Sequence, residues 1–208
     1  MLGFDTFYRN CYDDAEIARS FVAAHHYAGE ASSTAHRFGL YHHGQLVGGA
    51  LFGPPASMAA HRLVFPTLAP NEAVTLGRLV LLDCVPGNAE SWFVARCHEL
   101  LATPALYRPL DKHDRPRRPI IGVETCADPV IRCNAAGVEI FPGHAGTIYQ
   151  ALGARHIGRT RAELLHLLPD GTVFSRRAVS KIAGAERGWE RAAAKLVALG
   201  ADQLDTNT

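Results

Sequence analysis

An arginine inside a strongly apolar segment is the residue of this sequence with the clearest chemical potential. Residues 73–84 read AVTLGRLVLLDC, and a strand over this segment is predicted to place Arg78 on one face with Val74, Leu76 and Val80. A guanidinium buried among such side chains needs a carboxylate or an anionic ligand, because leaving it unpaired is costly. Arg78 is therefore predicted to be either half of a structural ion pair or a catalytic or substrate-binding group.

Asp128 is the acid that the sequence offers to this arginine. It ends a predicted strand over residues 120–128, and open α/β sheets hold their ligands at the carboxyl ends of strands. The dipeptide Asp128-Pro129 is also a frequent way to turn a chain. The position thus indicates a catalytic carboxylate or an ordinary turn.

The segment GHAGTIYQA at residues 143–151 opens a predicted short helix. Gly143 and Gly146 allow a ligand to approach the backbone closely, and the amides around His144 could hold an anion or a carbonyl oxygen of a cofactor. Tyr149 lies one turn into the helix, where its phenol could act as a general acid. The same spacing is also typical of ordinary core residues, so both interpretations stay open.

The first predicted helix ends with two histidines and a tyrosine, His25, His26 and Tyr27. Histidines at a helix end can complement the helix dipole, bind a metal together with Asp128 or His144, or be solvated. No two histidines of the chain have a strong ligand spacing such as His-Glu-x-x-His. A metal site is therefore one of three interpretations of this cluster.

Basic residues are concentrated in the second half of the chain, beginning with a proline-rich loop predicted over residues 103–119. Such residues can neutralise the phosphates of a DNA backbone, although a charge run is equally consistent with a solvated surface. The candidates for DNA contact are Arg115, Arg117, Arg118 and Arg159. The candidates for stacking on an extruded base are Tyr27, Phe52, Trp92 and Tyr149.

The composition indicates one ordinary globular domain over residues 1–208. The chain has 48% hydrophobic and 20% charged residues and a net charge of +1, so it can bury a core without disulfide or metal staples. This charge argues against a protein that coats nucleic acid by bulk electrostatics. We expect a cytoplasmic protein that has no membrane partner, since no apolar run reaches spanning length and the first residues lack a signal-peptide pattern.

The cysteines are scattered and odd in number, and they lack the close spacing that thiolate metal sites use. We expect them to be reduced and mostly buried thiols. The five are Cys11, Cys84, Cys97, Cys126 and Cys133.

Hydrophobic periodicity predicts an alternation of helices and strands, which indicates an α/β fold with a mixed sheet covered by helices on both faces. The predicted strands are residues 36–42, 45–52, 73–84, 120–128 and 162–168. The predicted helices are residues 12–27, 89–101 with Asn88 as its N-cap, 143–153 and a terminal helix over 184–199.

Five blocks of this sequence resemble, in their order, the Mom proteins of bacteriophages. They are His26-Tyr27, LFGPP at 51–55, LGRLVLLD at 76–83 with NAES at 88–91, ADP at 127–129 and GHAGTIYQA at 143–151. The last string is the most specific of them. The resemblance implies a GNAT-like fold with a mostly antiparallel central sheet. It also implies conversion of adenine in DNA to an N6-carbamoylmethyl derivative, by which phage DNA evades host restriction enzymes.

The resemblance also implies a set of site residues. The functional positions of the family fall here on Tyr27, Arg78, Asp128 and Tyr149. An iron ion has been associated with the family, which makes Tyr27, Asp128 and His144 a candidate metal site. We expect the substrate to be a flipped adenine of double-stranded DNA. The protein is expected to be a monomer or a homodimer.

One departure from ordinary acetyltransferases bears on the cofactor. Their Gln/Arg-x-x-Gly-x-Gly/Ala pyrophosphate loop is replaced here by CVPGN at residues 84–88. The amides near Asn88 and Ala89 could still receive a phosphate. The cofactor thus stays unknown, with acetyl-CoA or another small donor as options. Two alternatives to DNA modification also stay open: N-acetyl transfer to a small amine or protein, and a non-catalytic module that binds DNA or a nucleotide.

Overall fold

The computed structural model describes residues 15–27, 34–55, 57–106, 117–162 and 164–201. Its helices are α1 (Ala15–His25), α2 (Met58–Val64), α3 (Ala89–Ala102), α4 (Thr147–Ala151), α5 (Arg176–Ala183) and α6 (Trp189–Ala198), with a 3-10 turn at Pro104–Leu106. Its strands are β1 (His36–His42), β2 (Gln45–Gly53), β3 (Ala73–Leu81), β4 (Gly122–Glu124), β5 (Arg132–Cys133), β6 (Glu139–Phe141), β7 (His166–Leu167) and β8 (Val173–Phe174). No helix within these ranges is long and apolar enough to cross a membrane.

The described residues divide into two compact units. The first unit runs to Asp128 and includes His144–Ile157, and the second consists of Pro129–Gly143 and the residues from Gly158 onward. The single domain expected from composition stays a prediction.

The first unit is built on a four-stranded sheet in the order β1-β2-β3-β4. The first two pairings are antiparallel and the β3–β4 pairing is parallel, so the mixed, mostly antiparallel sheet is confirmed. His43 and Gly44 connect β1 and β2 with φ angles of 50° and 77°, the left-handed conformation that a two-residue hairpin turn requires. The predicted hairpin is therefore confirmed.

Helices cover both faces of this sheet. On one face, Phe93 and Cys97 of α3 are fully buried in a core that also contains Phe38 of β1 and Phe52 of β2. On the other face α1 lies so close to β2 that a Cβ on Gly49 would come within 3.0 Å of a Val22 methyl group. Burial of these apolar side chains stabilises the two layers against the sheet.

A bulge interrupts β3 beside Arg78. Phe52 of β2 pairs with Leu76, but the residue before it, Leu51, pairs with Arg78. Gly77 is therefore an additional residue of β3. A bulge of this kind shifts the alternation of side chains by one residue and turns the following side chain to the other face.

The bulge overturns the predicted environment of Arg78. Val74 and Leu76 pack in the α3 core before it, and Leu79 and Leu81 pack against the same core after it. Arg78 therefore lies on the opposite face, and the prediction that it shares a face with Val74 and Leu76 is wrong. The error arises because period-two alternation assumes an uninterrupted strand.

The second unit has shorter elements and little buried surface. It contains two small hairpins, β5–β6 and β7–β8, and the helical pair α5 and α6. Arg132 is buried with its guanidinium carbon 4.0 Å from the centre of the Phe141 ring, a cation–π contact. Neither α5 nor α6 has a buried residue.

Several elements differ from the sequence predictions. Helices α2 and α5 occupy stretches for which no helix was predicted, and the strand predicted over 162–168 is only two residues long. The terminal helix begins at Trp189 rather than 184, because Gly188 adopts a φ of 82°. Asn88 is the N-cap residue of α3, as predicted, but its side chain makes no capping hydrogen bond.

The burial expected of the cysteines is also wrong. Of the four described, only Cys97 is buried, and Cys84, Cys126 and Cys133 are exposed. All four are free thiols, as expected. Cys11 lies outside the described residues.

Candidate active site

Arg78 lies next to His26, at the point where the chain leaves α1. His26 is half-buried, and desolvation together with the positive charges of Arg78 and His144 lowers its pKa from 6.5 to about 4. The imidazole is therefore neutral at neutral pH, and Arg78 remains the permanent cation of this group. Arg78 also donates a 2.7 Å hydrogen bond to the carbonyl oxygen of Gly77, the bulge residue.

Asp128 and His144 are held together by their backbones. The amide of His144 donates a 2.7 Å hydrogen bond to the carbonyl oxygen of Asp128, in an isolated antiparallel bridge. Asp128 lies beyond the end of β4, which stops at Glu124, so the predicted strand is shorter than expected. This bridge places the acid beside the histidine that acts on the pKa of His26.

Tyr149 completes this group from helix α4. Its ring lies 6.1 Å from the His144 ring, at a nearly perpendicular angle. Burial raises the pKa of the phenol, a hydrogen bond with the Thr125 side chain lowers it, and Tyr27 is among the groups that raise it further. A phenol of this kind stays protonated at neutral pH, which suits a proton donor.

Tyr27 reaches the group from the end of α1. Its ring lies 4.2 Å from the His26 ring, and the residue is 44% exposed. The structure therefore brings together all four catalytic residues expected from the sequence. We call the five residues His26, Arg78, Asp128, His144 and Tyr149 the central cluster, and Tyr27 lies at its exposed side.

The pairing between β3 and β4 ends just before the central cluster. β4 pairs only with Ala73, Val74 and Thr75 of the nine-residue strand β3. Beyond this point Thr125 keeps contact through its hydroxyl, which donates a 3.3 Å hydrogen bond to the carbonyl oxygen of Leu76. The residues from Thr125 to Asp128 thus leave the sheet at the carboxyl end of a parallel strand, the usual place for ligands.

The two glycines predicted to bind a cofactor have a structural reason to be glycine. Both Gly143 and Gly146 adopt a φ of 75°. A Cβ at Gly143 would lie 2.7 Å from the Pro129 carbonyl oxygen, and one at Gly146 would lie 3.3 Å from the Ala127 methyl group. Helix α4 has only five residues, so its dipole is weak, and cofactor binding by these glycines and His144 stays a prediction.

The expected phosphate site at the start of α3 finds little support. Ala89 is fully buried and its amide already donates to the carbonyl oxygen of Pro86, at 2.8 Å. Asn88 is exposed in a right-handed helical conformation. An amide that is already bonded is not available for a phosphate oxygen, so we derive no step from acetyl-CoA.

The residues of the candidate iron site do not form a convincing metal centre. Within the described ranges no three His, Cys, Asp or Glu side chains are arranged to hold a metal ion. Tyr27, Asp128 and His144 supply only two ligands of these types. His26 experiences the positive charge of Arg78, which would oppose a second cation nearby. Iron therefore stays an untested implication of the resemblance, and no step is derived through it.

Three of the four predicted DNA-contacting arginines lie within the described residues. Arg115 lies outside the described residues. Arg117 is half-buried, and an Arg118 nitrogen lies 4.0 Å from a Glu72 carboxylate oxygen. Arg159 is exposed in the second unit. Their role in DNA binding stays a prediction.

Sequence reasoning missed three neighbours of Tyr149. Thr125 is hydrogen-bonded to its phenol, and Cys126 and Glu90 act on its pKa. Cys126 is not an activated nucleophile, because partial burial and the Glu124 carboxylate raise the pKa of its thiol. Thr125 and Cys126 could have been predicted from their position at the carboxyl end of β4, as Asp128 was. No neighbouring residue in the sequence indicated that Glu90 lies near Tyr149.

Fold and site together define a mixed α+β protein with a titratable cluster where a parallel strand pair ends. Residues 12–105 match the model of the Mom protein family, so this segment is similar to Mom proteins. No curated protein matches the chain. Tyr27 and Arg78 lie inside the matched segment, and Asp128, His144 and Tyr149 follow it. The match points to modification of phage DNA as the general activity and to DNA as the substrate.

Proposed function

We propose that the protein transfers a small group to the N6 amine of adenine in DNA, giving an N6-carbamoylmethyl-type product that protects phage DNA from restriction. The observation that supports this proposal is the central cluster, in which two histidines link a permanent cation, an acid and a protonated phenol: His26 lies in the field of Arg78, and His144 bridges Asp128 through its backbone and lies beside the Tyr149 ring. These are the three functions that transfer to a weakly nucleophilic amine needs.

The target adenine leaves the base stack, since its amine is otherwise hard to reach inside the duplex. Tyr27, exposed beside His26, is placed to stack on the extruded base. Stacking of this kind fixes the extruded nucleotide, so that the enzyme can hold its amine against the donor. Such positioning contributes more to the rate than the amine's own reactivity.

Arg78 binds an anionic or carbonyl part of the donor. Because His26 is neutral, it adds no positive charge beside the guanidinium of Arg78. A guanidinium can hold a carboxylate or a carbonyl oxygen through two parallel hydrogen bonds, and it stabilises negative charge that develops there during transfer.

The proton balance of the reaction involves the two remaining groups. A bond forms between N6 and the transferred group while the bond from that group to its leaving group breaks. The amine proton passes to Asp128, and Tyr149 gives its phenol proton to the leaving group. Return of the proton from Asp128 to Tyr149, directly or through water, restores the enzyme, so the net change is one proton moved from the amine to the leaving group.

Nucleoside mass spectrometry tests the proposal. Plasmid DNA from cells that express the wild-type chain should contain a modified adenine. Arg78→Ala should reduce it at least about 100-fold, as is usual when a charged group that stabilises the transition state is removed. Arg62→Ala, an exposed arginine of α2, is the matched control and should retain wild-type modification.

The other outcomes are decisive as well. Unmodified DNA together with turnover of acetyl-CoA would replace the proposal by N-acetyl transfer to another amine. DNA binding without modified nucleosides would indicate a non-catalytic module. Wild-type modification by a folded Arg78→Ala protein would remove Arg78 from the mechanism.

A further inference from the structure

Glu124 is an acid on the same face of the sheet as Arg78. It is the last residue of β4, which pairs in parallel with β3, and its partner in the register is Thr75. The pair before it, Val123 and Val74, contacts the core beside α3. Because neighbouring residues of a strand point to opposite faces, Glu124 and Thr75 lie on the other face. The bulge turns Arg78 to this same face.

The Glu124 carboxylate is held in place by the neighbouring strand. The hydroxyl of Thr75 donates a 2.8 Å hydrogen bond to the Oε1 atom of Glu124. Both side chains are half-buried, and no ion pair to this carboxylate is present among the described residues. A carboxylate has about four lone-pair sites, so the single bond from Thr75 fixes it and leaves most of its accepting capacity for a ligand.

Apolar side chains cover the sheet on the amino-terminal side of Glu124. Gly122 lies on the same face, two residues earlier, and a Cβ there would come within 3.0 Å of the Phe65 ring and 2.9 Å of a Leu68 methyl group. Beyond Glu124 the chain leaves the sheet, at the carboxyl end of a parallel strand, where α/β proteins usually bind ligands. The carboxylate therefore lies at the boundary between an apolar cover and the expected ligand site.

The spacing along β3 fits a base between Glu124 and Arg78. Thr75, which holds Glu124, and Arg78 are three residues apart, or roughly 10 Å in a strand. A nucleobase and a small donor group, placed side by side, fill a space of this size. In the proposed reaction Arg78 binds the donor, so the Glu124 carboxylate is on the side from which the base amine approaches.

We propose that Glu124 accepts a hydrogen bond from the N6 amine of the extruded adenine and thereby selects the base, with Thr75 as the residue that positions its carboxylate. The inference rests on the proposed function. Adenine presents a hydrogen-bond donor at this position, whereas guanine presents the acceptor O6, which a carboxylate repels. The amine has two protons. Asp128 receives one of them during the reaction, and the other stays on N6, so no proton passes to Glu124.

Binding of two matched DNA duplexes tests the selection. They carry adenine or hypoxanthine, which has an oxygen in place of the amine, opposite an abasic site, so that neither base has to break a pair before it leaves the stack. Fluorescence anisotropy is measured at a salt concentration that suppresses binding to the backbone. The wild-type chain should bind the adenine duplex about 10- to 100-fold more tightly, the value of a hydrogen bond to a charged group.

A substitution of the carboxylate should remove this preference. Glu124→Gln offers an NH₂ group to the hypoxanthine oxygen, so it should bind hypoxanthine better and adenine worse than the wild-type chain does. Glu99→Gln, at an exposed glutamate of α3, is the matched control and should keep the wild-type preference. Equal affinities of the wild-type chain for the two duplexes, or a wild-type preference in Glu124→Gln, would overturn the proposal.

Thr75 provides a second test that leaves the carboxylate in the protein. Thr75→Val keeps the shape of the side chain and removes the hydroxyl, so the preference for adenine should fall about 2- to 10-fold, the value of an ordinary hydrogen bond. Thr75→Ser restores the hydroxyl and should recover the preference. A serine variant that discriminates as poorly as the valine variant would contradict the positioning role of the hydroxyl.

Failure of this inference can be distinguished from failure of the proposed function. If the duplex preferences behave as expected but mass spectrometry finds no modified adenine, the proposed transfer fails while Glu124 remains the residue that selects the base. If modified adenine is found but Glu124→Gln keeps the wild-type preference, the proposed function stands and the role of Glu124 is disproved.

Discussion

The two units of this protein bury their side chains very differently. The first unit encloses a continuous core between α3 and the sheet, in which residues such as Phe38, Phe52 and Phe93 are almost fully buried. In the second unit, α5 and α6 have no buried residue, and apolar side chains such as Val179 and Val197 are at least 40% exposed. Every residue of the central cluster lies in the first unit, so the reacting groups are supported by the better-packed part of the molecule.

The difference has a physical consequence for the site. Positioning of reacting groups to within a fraction of an ångström requires side chains and backbone that are fixed by close packing. The bulge at Gly77 and the bridge between Asp128 and His144 both belong to the unit with the large core. We therefore expect substitutions to separate the two units clearly, both in stability and in activity.

The largest expected effect is the loss of a core aromatic side chain. Phe93→Ala leaves a cavity between α3 and the sheet and should lower the free energy of unfolding by about 3–5 kcal/mol. Val197→Ala in α6, whose side chain is 47% exposed, is the control and should cost less than about 0.5 kcal/mol. Urea denaturation measures both, and similar losses in the two variants would remove the contrast between the units.

Two glycines of the second unit should also tolerate alanine poorly, because their backbone conformation is left-handed. Gly137 and Gly143 both have positive φ angles, 77° and 75°. Alanine at Gly137 has open space, so only the left-handed conformation costs stability, about 1–2 kcal/mol. Alanine at Gly143 also meets the Pro129 carbonyl oxygen at 2.7 Å and should cost clearly more. Equal melting temperatures of the two variants would show that the close approach at Gly143 relaxes freely.

The burial of His26 predicts a pH-dependent difference in stability. Its pKa of about 4 in the folded protein lies below the usual 6.5, so the unfolded chain binds the proton first as the pH falls. The free energy of unfolding should therefore decrease from about pH 6.5 toward pH 4, by about 1–2 kcal/mol from this residue after allowance for solvent screening.

A pair of histidine variants isolates this contribution. His26→Asn should flatten the dependence of the unfolding free energy on pH between about 4 and 6.5, whereas His25→Asn, at the neighbouring exposed histidine, should leave it unchanged. Parallel pH profiles of the His26→Asn and wild-type proteins would show that His26 is not held neutral by its surroundings.

The smallest expected effect concerns the start of α5. The Ser175 hydroxyl accepts a 3.1 Å hydrogen bond from the amide of Ala178, a side-chain N-cap. Ser175→Ala should lower stability by about 1 kcal/mol, and Ser175→Asp should restore most of it, since aspartate caps equally well. Circular dichroism during thermal unfolding measures both, and a Ser175→Ala protein as stable as wild type would mean that α5 contributes little to the measured transition.

The sequence predicted the first unit's sheet and main helices because their signals are local. The His43-Gly44 turn, the alternating pattern of β1 and β2 and the apolar face of α3 each follow from neighbouring residues. In the second unit the strands are two or three residues long, which is too short for a periodic pattern to stand out. Helix α2 was missed because it is short and its only buried residue is a histidine, His61.

For the site, residue types were more informative than predicted geometry. Arg78, Asp128 and Tyr149 stood out by their chemistry, and the resemblance added Tyr27. The face on which Arg78 lies could not be predicted, because the bulge at Gly77 becomes visible only in the register between β2 and β3. The hydrogen bond of Thr125 with Tyr149 likewise depends on how a strand end meets a helix distant in sequence.

The central claim is that Arg78 and Tyr149 belong to one reaction centre, and a double-mutant cycle tests it most directly. Single-turnover rates of adenine modification would be measured for the wild-type chain, Arg78→Lys, Tyr149→Phe and the double variant. Groups that act together in one transition state are strongly non-additive. We predict that the double variant is little slower than the slower single variant. A double-variant loss equal to the product of the two single losses would mean that the residues act independently, and would contradict the account.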